Sequence, residues 1–355
     1  MLLSVVALGC SFYLPGSAII SPLKLKSRGI QWLLTWVTGL VLWGIQAALF
    51  GYAHLRFLTY LYLGFFFIYG LLQRKEHAIF LRAFIEKCRF APNILKCIFA
   101  AGIIMQCLAM VGSGLEYHGG VEFFQSNSVD GVLHLGYIQG MAQQFPPKET
   151  AAYLLDLKNY HFWSDLVMAD IFRVWHIPVS LLFFQFFPVL LSSFTALAAY
   201  FVIRVWRGSF SAGMWSLFLL FFGGDAAYTL FFLLHRVIRF SSPAIDNGAT
   251  HHINTARNAL LCYMSETGNT KFADGKMIFL SGLIPLTYFL RTRKMSWLFL
   301  TVILYGPLIG FKVYFGLYVA IGLLFLAAGT IVARFFQSSS RKIIPRVMET
   351  FRKEA

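Results

Sequence analysis

Residues 30–52 read IQWLLTWVTGLVLWGIQAALFGY, a stretch without a single charged side chain. About 20 apolar residues in a helix are enough to cross a hydrocarbon core of about 30 Å, because each residue advances the helix by about 1.5 Å. A lipid-exposed backbone finds no water to bind, so such a segment satisfies its amides internally as an α-helix. The stretch therefore predicts a membrane-spanning helix.

The same pattern recurs on both sides of this stretch. Hydrophobic residues make up 58% of the 355 residues and charged residues only 13%, about half the charged fraction that is usual in soluble domains. The further apolar runs occupy residues 1–20, 55–73, 97–113, 177–203, 212–235, 276–290, 296–311 and 314–334. We therefore predict an all-α fold, a polytopic transmembrane helix bundle with about nine spans.

Positive charge lies in the connectors between these runs. The formal net charge is +15, and the basic connectors are 24–28, 74–96, 204–207, 291–294 and the segment from 334 onward. If the N-terminus is outside, each of them is cytoplasmic, as the positive-inside rule requires. We therefore expect a prokaryotic cytoplasmic (inner) membrane protein with a cytoplasmic C-terminus. Since the charge follows topology, no nucleic-acid partner is expected.

Three regions follow from this topology. Residues 1–96 form the N-terminal helices and a cytoplasmic loop, residues 97–335 a transmembrane module, and residues 336–355 a basic tail that is expected to contact membrane lipids. Two long external loops, 114–176 and 236–275, are expected to carry short amphipathic helices. Acids and histidines gather in these loops, so the functional residues are sought there.

The first external loop contains two acid–histidine pairs spaced by four residues. Asp130 and His134 would share one face of a helix, as would His161 and Asp165. A carboxylate beside an imidazole is the usual composition of a general base and its neighbour. An exposed pair on a helix surface, with no catalytic role, explains the same spacing.

Two charges interrupt the apolar runs themselves. Asp225 follows two glycines in the sixth run, and Lys312 lies between the last two runs. An unpaired charge at the centre of a membrane costs at least about 2.5 kcal/mol, so we expect the two residues to pair inside the bundle. The pair is either structural or in contact with a substrate.

The second external loop is basic although it lies outside. Arg236, Arg239 and Arg257 have the chemistry to bind a lipid-linked phosphate or pyrophosphate, although a solvated loop beside headgroups has the same composition. The neighbouring His251 and His252 diverge and have no third ligand at a suitable spacing, so no metal site is expected.

Several of these motifs together resemble the GT-C type of multi-spanning membrane glycosyltransferase. The resemblance covers about residues 97–235 and rests on Asp130-x-x-x-His134-Leu135-x-x-Ile138, Pro146-Pro147, Tyr160-His161-x-x-Ser164-Asp165 and Gly223-Gly224-Asp225. It implies transfer of a sugar from a polyprenyl-phosphate donor at the outer membrane face. A lipid-linked donor needs no nucleotide or other cofactor, and a divalent metal is left open.

The resemblance also implies roles for individual residues. Asp130 matches the acidic residue that acts as base or orients the acceptor, with Glu116 as its competitor and the two histidines as neighbours. The candidates for binding the substrate and its phosphate are Arg236, Arg239, Arg257, Lys312, Asp225 and Asp165.

Two other functions remain open at the level of sequence. A transporter or flippase for a lipid-linked or anionic substrate would line its path with Asp225 and Lys312. A non-catalytic membrane subunit would have other membrane proteins as partners.

Overall fold

The structure is a computed structural model that describes residues 2–117, 119–123, 129–149, 155–158, 160–222 and 270–332. These residues are mainly helical, as predicted for an all-α protein. The first half contains helices α1 Leu2–Leu8, α2 Leu14–Ile20, α3 Arg28–Tyr52, α4 Leu58–Leu72, α5 Arg74–Arg89 and α6 Asn93–Val111. A π-helical turn, Gly9–Tyr13, joins α1 to α2 without a break.

The second half begins with a small hairpin of strands β1 Leu115–Tyr117 and β2 Gly120–Glu122. The helices that follow are α7 Asp130–Gln143, α8 Trp163–Trp175, α9 Phe187–Arg207, α10 Phe210–Phe222, α11 Thr270–Thr292, α12 Met295–Tyr305, α13 Leu308–Phe311 and α14 Val313–Val332. A second π-helical turn, Leu181–Phe186, leads directly into α9.

Four of the described helical segments are long and apolar enough to cross a membrane: Leu3–Leu23, Arg28–Tyr52, Leu181–Arg207 and Val313–Val332. A fifth is possible if α5 and the first part of α6, which meet at an angle of 100°, form one broken span. Within the described residues, the apolar helix α4, the part of α10 from Phe210 to Phe222 and the pair α12–α13 are shorter than a full span. The structure thus supports a helical membrane protein, while nine spans stays a prediction.

Close packing of α2 against α3 follows from two glycines. A Cβ atom on Gly16 would collide with the Thr35 carbonyl, and one on Gly39 would collide with the Phe12 carbonyl. Small residues at such a crossing let two backbones approach, which is how helices associate where the surroundings are already apolar. The crossing places Phe12 against Trp43 in the fully buried centre of the bundle.

The predicted first external loop folds onto this bundle through α7 and α8. Helix α8 packs against α7 on one side and α3 on the other. Its first residue, Trp163, packs edge-on against Phe311 at the end of α13, with ring centroids 5.6 Å apart. As a result the start of α8, one face of α7 and the end of α13 meet at one place.

The predicted amphipathic helix in this loop is α7. It begins at Asp130, and its buried residues include His134, Tyr137, Ile138 and Met141. Residues 124–128, which lie just before this helix, are outside the described residues. Most of the second external loop, the end of the sixth apolar run and the basic tail also lie outside them.

Candidate functional site

Seven polar side chains meet where α7, α8, α11 and the end of α13 come together. We call this set the polar cluster; its members are His134, Tyr160, His161, Ser164, Asp165, Asp274 and Lys312. Four of them are largely buried: His134, Asp165, Asp274 and Lys312. Buried polar groups are costly unless each is paired, so the contacts within the cluster define its chemistry.

The first contact joins an imidazole to a carboxylate. Nδ1 of His134 lies 2.8 Å from Oδ2 of Asp165, and the two residues are 7% and 3% exposed. A carboxylate only accepts hydrogen bonds, so Nδ1 carries a proton, and in the neutral ring Nε2 is then the acceptor. This arrangement orients the ring and leaves Nε2 able to take a proton from a third group.

Tyr160 lies on the accepting side of this imidazole, with its hydroxyl 3.3 Å from Nε2 of His134. Burial raises the pKa of Tyr160, and the charges of Asp165, Asp130 and Glu149 raise it further. The phenol therefore stays protonated and acts as a hydrogen-bond donor toward the imidazole.

The second contact joins Lys312 to His161, whose Nε2 lies 2.7 Å from the lysine Nζ. An ammonium group has no acceptor, so Lys312 donates and His161 accepts as a neutral ring. Burial, followed by the positive charge of Lys312, lowers the pKa of His161 to about 4. The ring of His161 also stacks on Tyr160 at 4.8 Å, which connects the two contacts.

Lys312 reaches this position because the helix is interrupted there. Its backbone is extended, with φ −159° and ψ 112°, between the end of α13 and the start of α14. The residue is only 5% exposed. The interruption therefore presents one buried cation to the cluster.

The third contact was not predicted from the sequence. The hydroxyl of Ser164 donates to Oδ2 of Asp274, and the amide of Gly275 lies 2.6 Å from Oδ1. Asp274 is 2% exposed. The only signal in the sequence was a lone carboxylate just before the apolar run 276–290, a pattern that also describes an ordinary helix end.

Three predicted site residues have surroundings that the sequence did not indicate. Asp130 is on α7 one turn before His134, but it is exposed while His134 is buried against α8. Glu116 is exposed on β1 and belongs to the hairpin. His161 precedes α8, which begins at Trp163, so His161 and Asp165 do not share a helix face as their spacing predicted.

The remaining predictions cannot be compared with the structure. Arg236, Arg239, Arg257 and Asp225 lie outside the described residues. The pairing of Asp225 with Lys312 therefore stays a prediction, and among the described residues Lys312 contacts His161.

A second buried network fixes α8 next to the cluster. Asp170, which is 1% exposed, accepts from Arg173 at 2.6 Å and from Gln46 at 2.9 Å, and lies 3.8 Å from Arg56. Arg56 in turn donates to the carbonyl of Met141 at 2.8 Å. The network ties α3, α7 and α8 together, so the polar cluster is held on rigid elements.

No group of three or more His, Cys, Asp or Glu side chains suited to a metal ion is present among the described residues. The polar cluster has acids and bases in paired contacts instead, which is an arrangement for moving protons and binding an anion.

Comparison with known proteins returns no relative: no protein-family model, no curated protein and no solved structure matches the chain.

Proposed function

We propose that the protein is a membrane glycosyltransferase of the GT-C type, which transfers a sugar from a polyprenyl-phosphate donor to an acceptor at the outer face of a prokaryotic cytoplasmic membrane. The observation that carries the proposal is the buried His134–Asp165 pair with Lys312 in the same cluster. A base beside a cation is what transfer from a phosphate leaving group requires.

His134 is the proposed general base. Asp165 holds its Nδ1 proton, so Nε2 is free to accept the proton of an acceptor hydroxyl. The acceptor oxygen then bonds to the anomeric carbon as the bond from that carbon to the phosphate oxygen breaks. Tyr160, whose hydroxyl lies 3.3 Å from Nε2, would be displaced by the acceptor or would orient it.

Asp130 is the proposed acceptor-orienting group. It is exposed on the same helix as the base, and its charge acts on Tyr160. This assignment moves the proton-accepting role from the carboxylate that the resemblance favoured to the neighbouring histidine, because the buried carboxylate of Asp165 holds that histidine in one orientation.

Lys312 is the proposed ligand of the leaving phosphate. The departing group keeps the electron pair of the broken bond and gains negative charge, which a cation in a water-poor site stabilises strongly. Lys312 is 5% exposed and donates to His161, a neutral acceptor that leaves the positive charge in place. Arg236, Arg239 and Arg257 remain predicted contributors to the same phosphate site.

The test is a transfer assay in detergent or vesicles with a panel of radiolabelled polyprenyl-phosphate sugars. We expect His134→Gln to lower the rate by about 100-fold or more, the usual contribution of a general base, and Lys312→Met to lower it comparably. Glu116→Gln is the matched control, since that exposed acid lies on the hairpin. Full activity of a folded His134→Gln protein would remove the proposal.

Transport of a lipid-linked anion is the second candidate. It is favoured by the interrupted helix at Lys312, since many transporters bind their substrates at such breaks. Movement of a labelled lipid-linked sugar across vesicles without any transfer product would support this function instead.

A further inference from the structure

A second candidate site lies at the other end of α3. Arg28 is the first residue of this helix, and Gln46, near its other end, donates to Asp170 beside the polar cluster. Next to Arg28 is a cavity of about 370 Å³. Because a helix of 25 residues is about 37 Å long, the cavity and the polar cluster lie toward opposite ends of the bundle.

The cavity is formed by elements that the charge pattern places on the cytoplasmic side. Its walls come from the connector before α3, the first turns of α3, the π-helical turn and the junction of α4 with α5. The side chains that carry the argument are Tyr13, Lys24, Arg28, Glu76 and His77. A π-helical turn inside an α-helical segment often marks a functional position, and this one ends at Tyr13.

The charges around the cavity favour an anion. Lys24 and Arg28 contribute two positive charges and Glu76 one negative charge, so the lining carries +1 with His77 neutral. Arg28 donates from Nη1 to the side-chain oxygen of Gln31 at 3.1 Å, and a guanidinium has further N–H groups to offer.

His77 adds an unused polar atom. The hydroxyl of Tyr13 lies 3.3 Å from Nδ1 of His77, while Nε2 is buried without a hydrogen-bond partner among the described residues. With the phenol as the donor, Nδ1 accepts and Nε2 carries the proton. A buried N–H without an acceptor is unfavourable, and His77 is one of the residues that line the cavity.

We propose that this cavity binds a phosphate-bearing anion. Phosphate oxygens accept hydrogen bonds from arginine, lysine and a histidine N–H, the donors present here. The volume is at the small end of the range for ligand pockets, which suits a phosphate group with a short substituent. The source is either the headgroup of an anionic lipid or a soluble phosphate compound. This site is separate from the proposed transferase site.

The experiment measures thermal unfolding of the full chain with defined probes. In one arm, inorganic phosphate and pyrophosphate are titrated into the protein in neutral detergent. In the other, the protein is placed in phosphatidylglycerol or phosphatidylcholine nanodiscs. The variants are Arg28→Gln and Lys24→Gln, and the matched control is Lys26→Gln, an exposed lysine of the same connector that does not line the cavity.

We expect one probe class to raise the unfolding temperature of the wild type and of Lys26→Gln. For Arg28→Gln and Lys24→Gln, the apparent affinity for that probe should fall about tenfold, as expected for loss of a charged hydrogen bond. Stabilisation by soluble phosphate identifies a soluble ligand, and stabilisation by phosphatidylglycerol alone identifies a lipid headgroup.

Equal responses of the wild type and all three variants to every probe, or no response to any probe, would overturn the proposal. Lys24 is exposed, so its variant keeps the test valid if Arg28→Gln fails to fold. Neither outcome bears on the transferase assay, in which these residues have no role.

Discussion

The contact between His161 and Lys312 predicts how stability changes with pH. In the folded protein the pKa of His161 is lowered from its ordinary value of 6.5 to about 4, by burial first and then by the lysine charge. Between these two pH values the unfolded chain binds the proton and the folded chain does not. Stability therefore rises with pH across this window, and it is lost as pH falls from about 6.5 toward 4.

The magnitude follows from the size of the pKa change. For a fully buried group, the interval from 6.5 to about 4 corresponds to about 3 kcal/mol. His161 is only half-buried, so solvent screening reduces the expected contribution to roughly 1–2 kcal/mol. A loss of this size should lower the unfolding temperature by a few degrees.

The assay compares thermal unfolding of the wild type and His161→Asn in detergent from pH 7.5 to pH 4. Asparagine does not titrate and its amide oxygen can still accept from Lys312, so the variant should lose the component of the pH dependence that His161 contributes. His176→Asn is the matched control, since His176 is exposed at a left-handed position that asparagine tolerates. Identical pH profiles for the wild type and His161→Asn would refute the reasoning.

Two further predictions concern the fold. Gly39→Ala should destabilise the protein by about 1–3 kcal/mol, because the new methyl group collides with the Phe12 backbone. Gly64→Ala is the control: on the open side of α4, it should be neutral or stabilising by up to about 1 kcal/mol. Equal effects of the two substitutions in chemical unfolding would contradict the close crossing. Asp170→Asn should lower the free energy of unfolding by about 3–5 kcal/mol, because it leaves two neighbouring arginines without a buried counter-charge. A decrease below about 1 kcal/mol in chemical unfolding would show that the network does not hold α8 in place.

Sequence patterns were sufficient for the helical class and for part of the site. Apolar runs must form helices in lipid, and the runs 30–52 and 314–334 correspond to the candidate spans Arg28–Tyr52 and Val313–Val332. His134 and Asp165 were both selected as polar residues in an external loop, and they do meet. Their pairing with each other was not predictable, because their separation of 31 residues carries no periodic signal.

Other features had no local signal at all. Asp274 looked like an ordinary helix-end acid, and its role in the cluster depends on Ser164 from a distant helix. Asp170 lies within an amphipathic segment, and only its contact with Arg56 and Gln46 shows that it joins three helices. The number of spans is also hard to predict, since α4 is as apolar as the candidate spans but shorter.

The sequence by itself determined that this chain is helical and apolar, which stretches between the apolar runs carry its acids and histidines, and where along the chain its positive charge lies. Those properties depend on composition and on the spacing of apolar residues along the chain, and both are visible in short stretches of sequence. Only the tertiary structure decided that His134 is held by Asp165, that Lys312 reaches His161, and that a cavity forms beside Arg28. The physical reason is that hydrogen bonds and cavities depend on distances of a few ångströms between segments far apart in sequence, which helix packing alone sets.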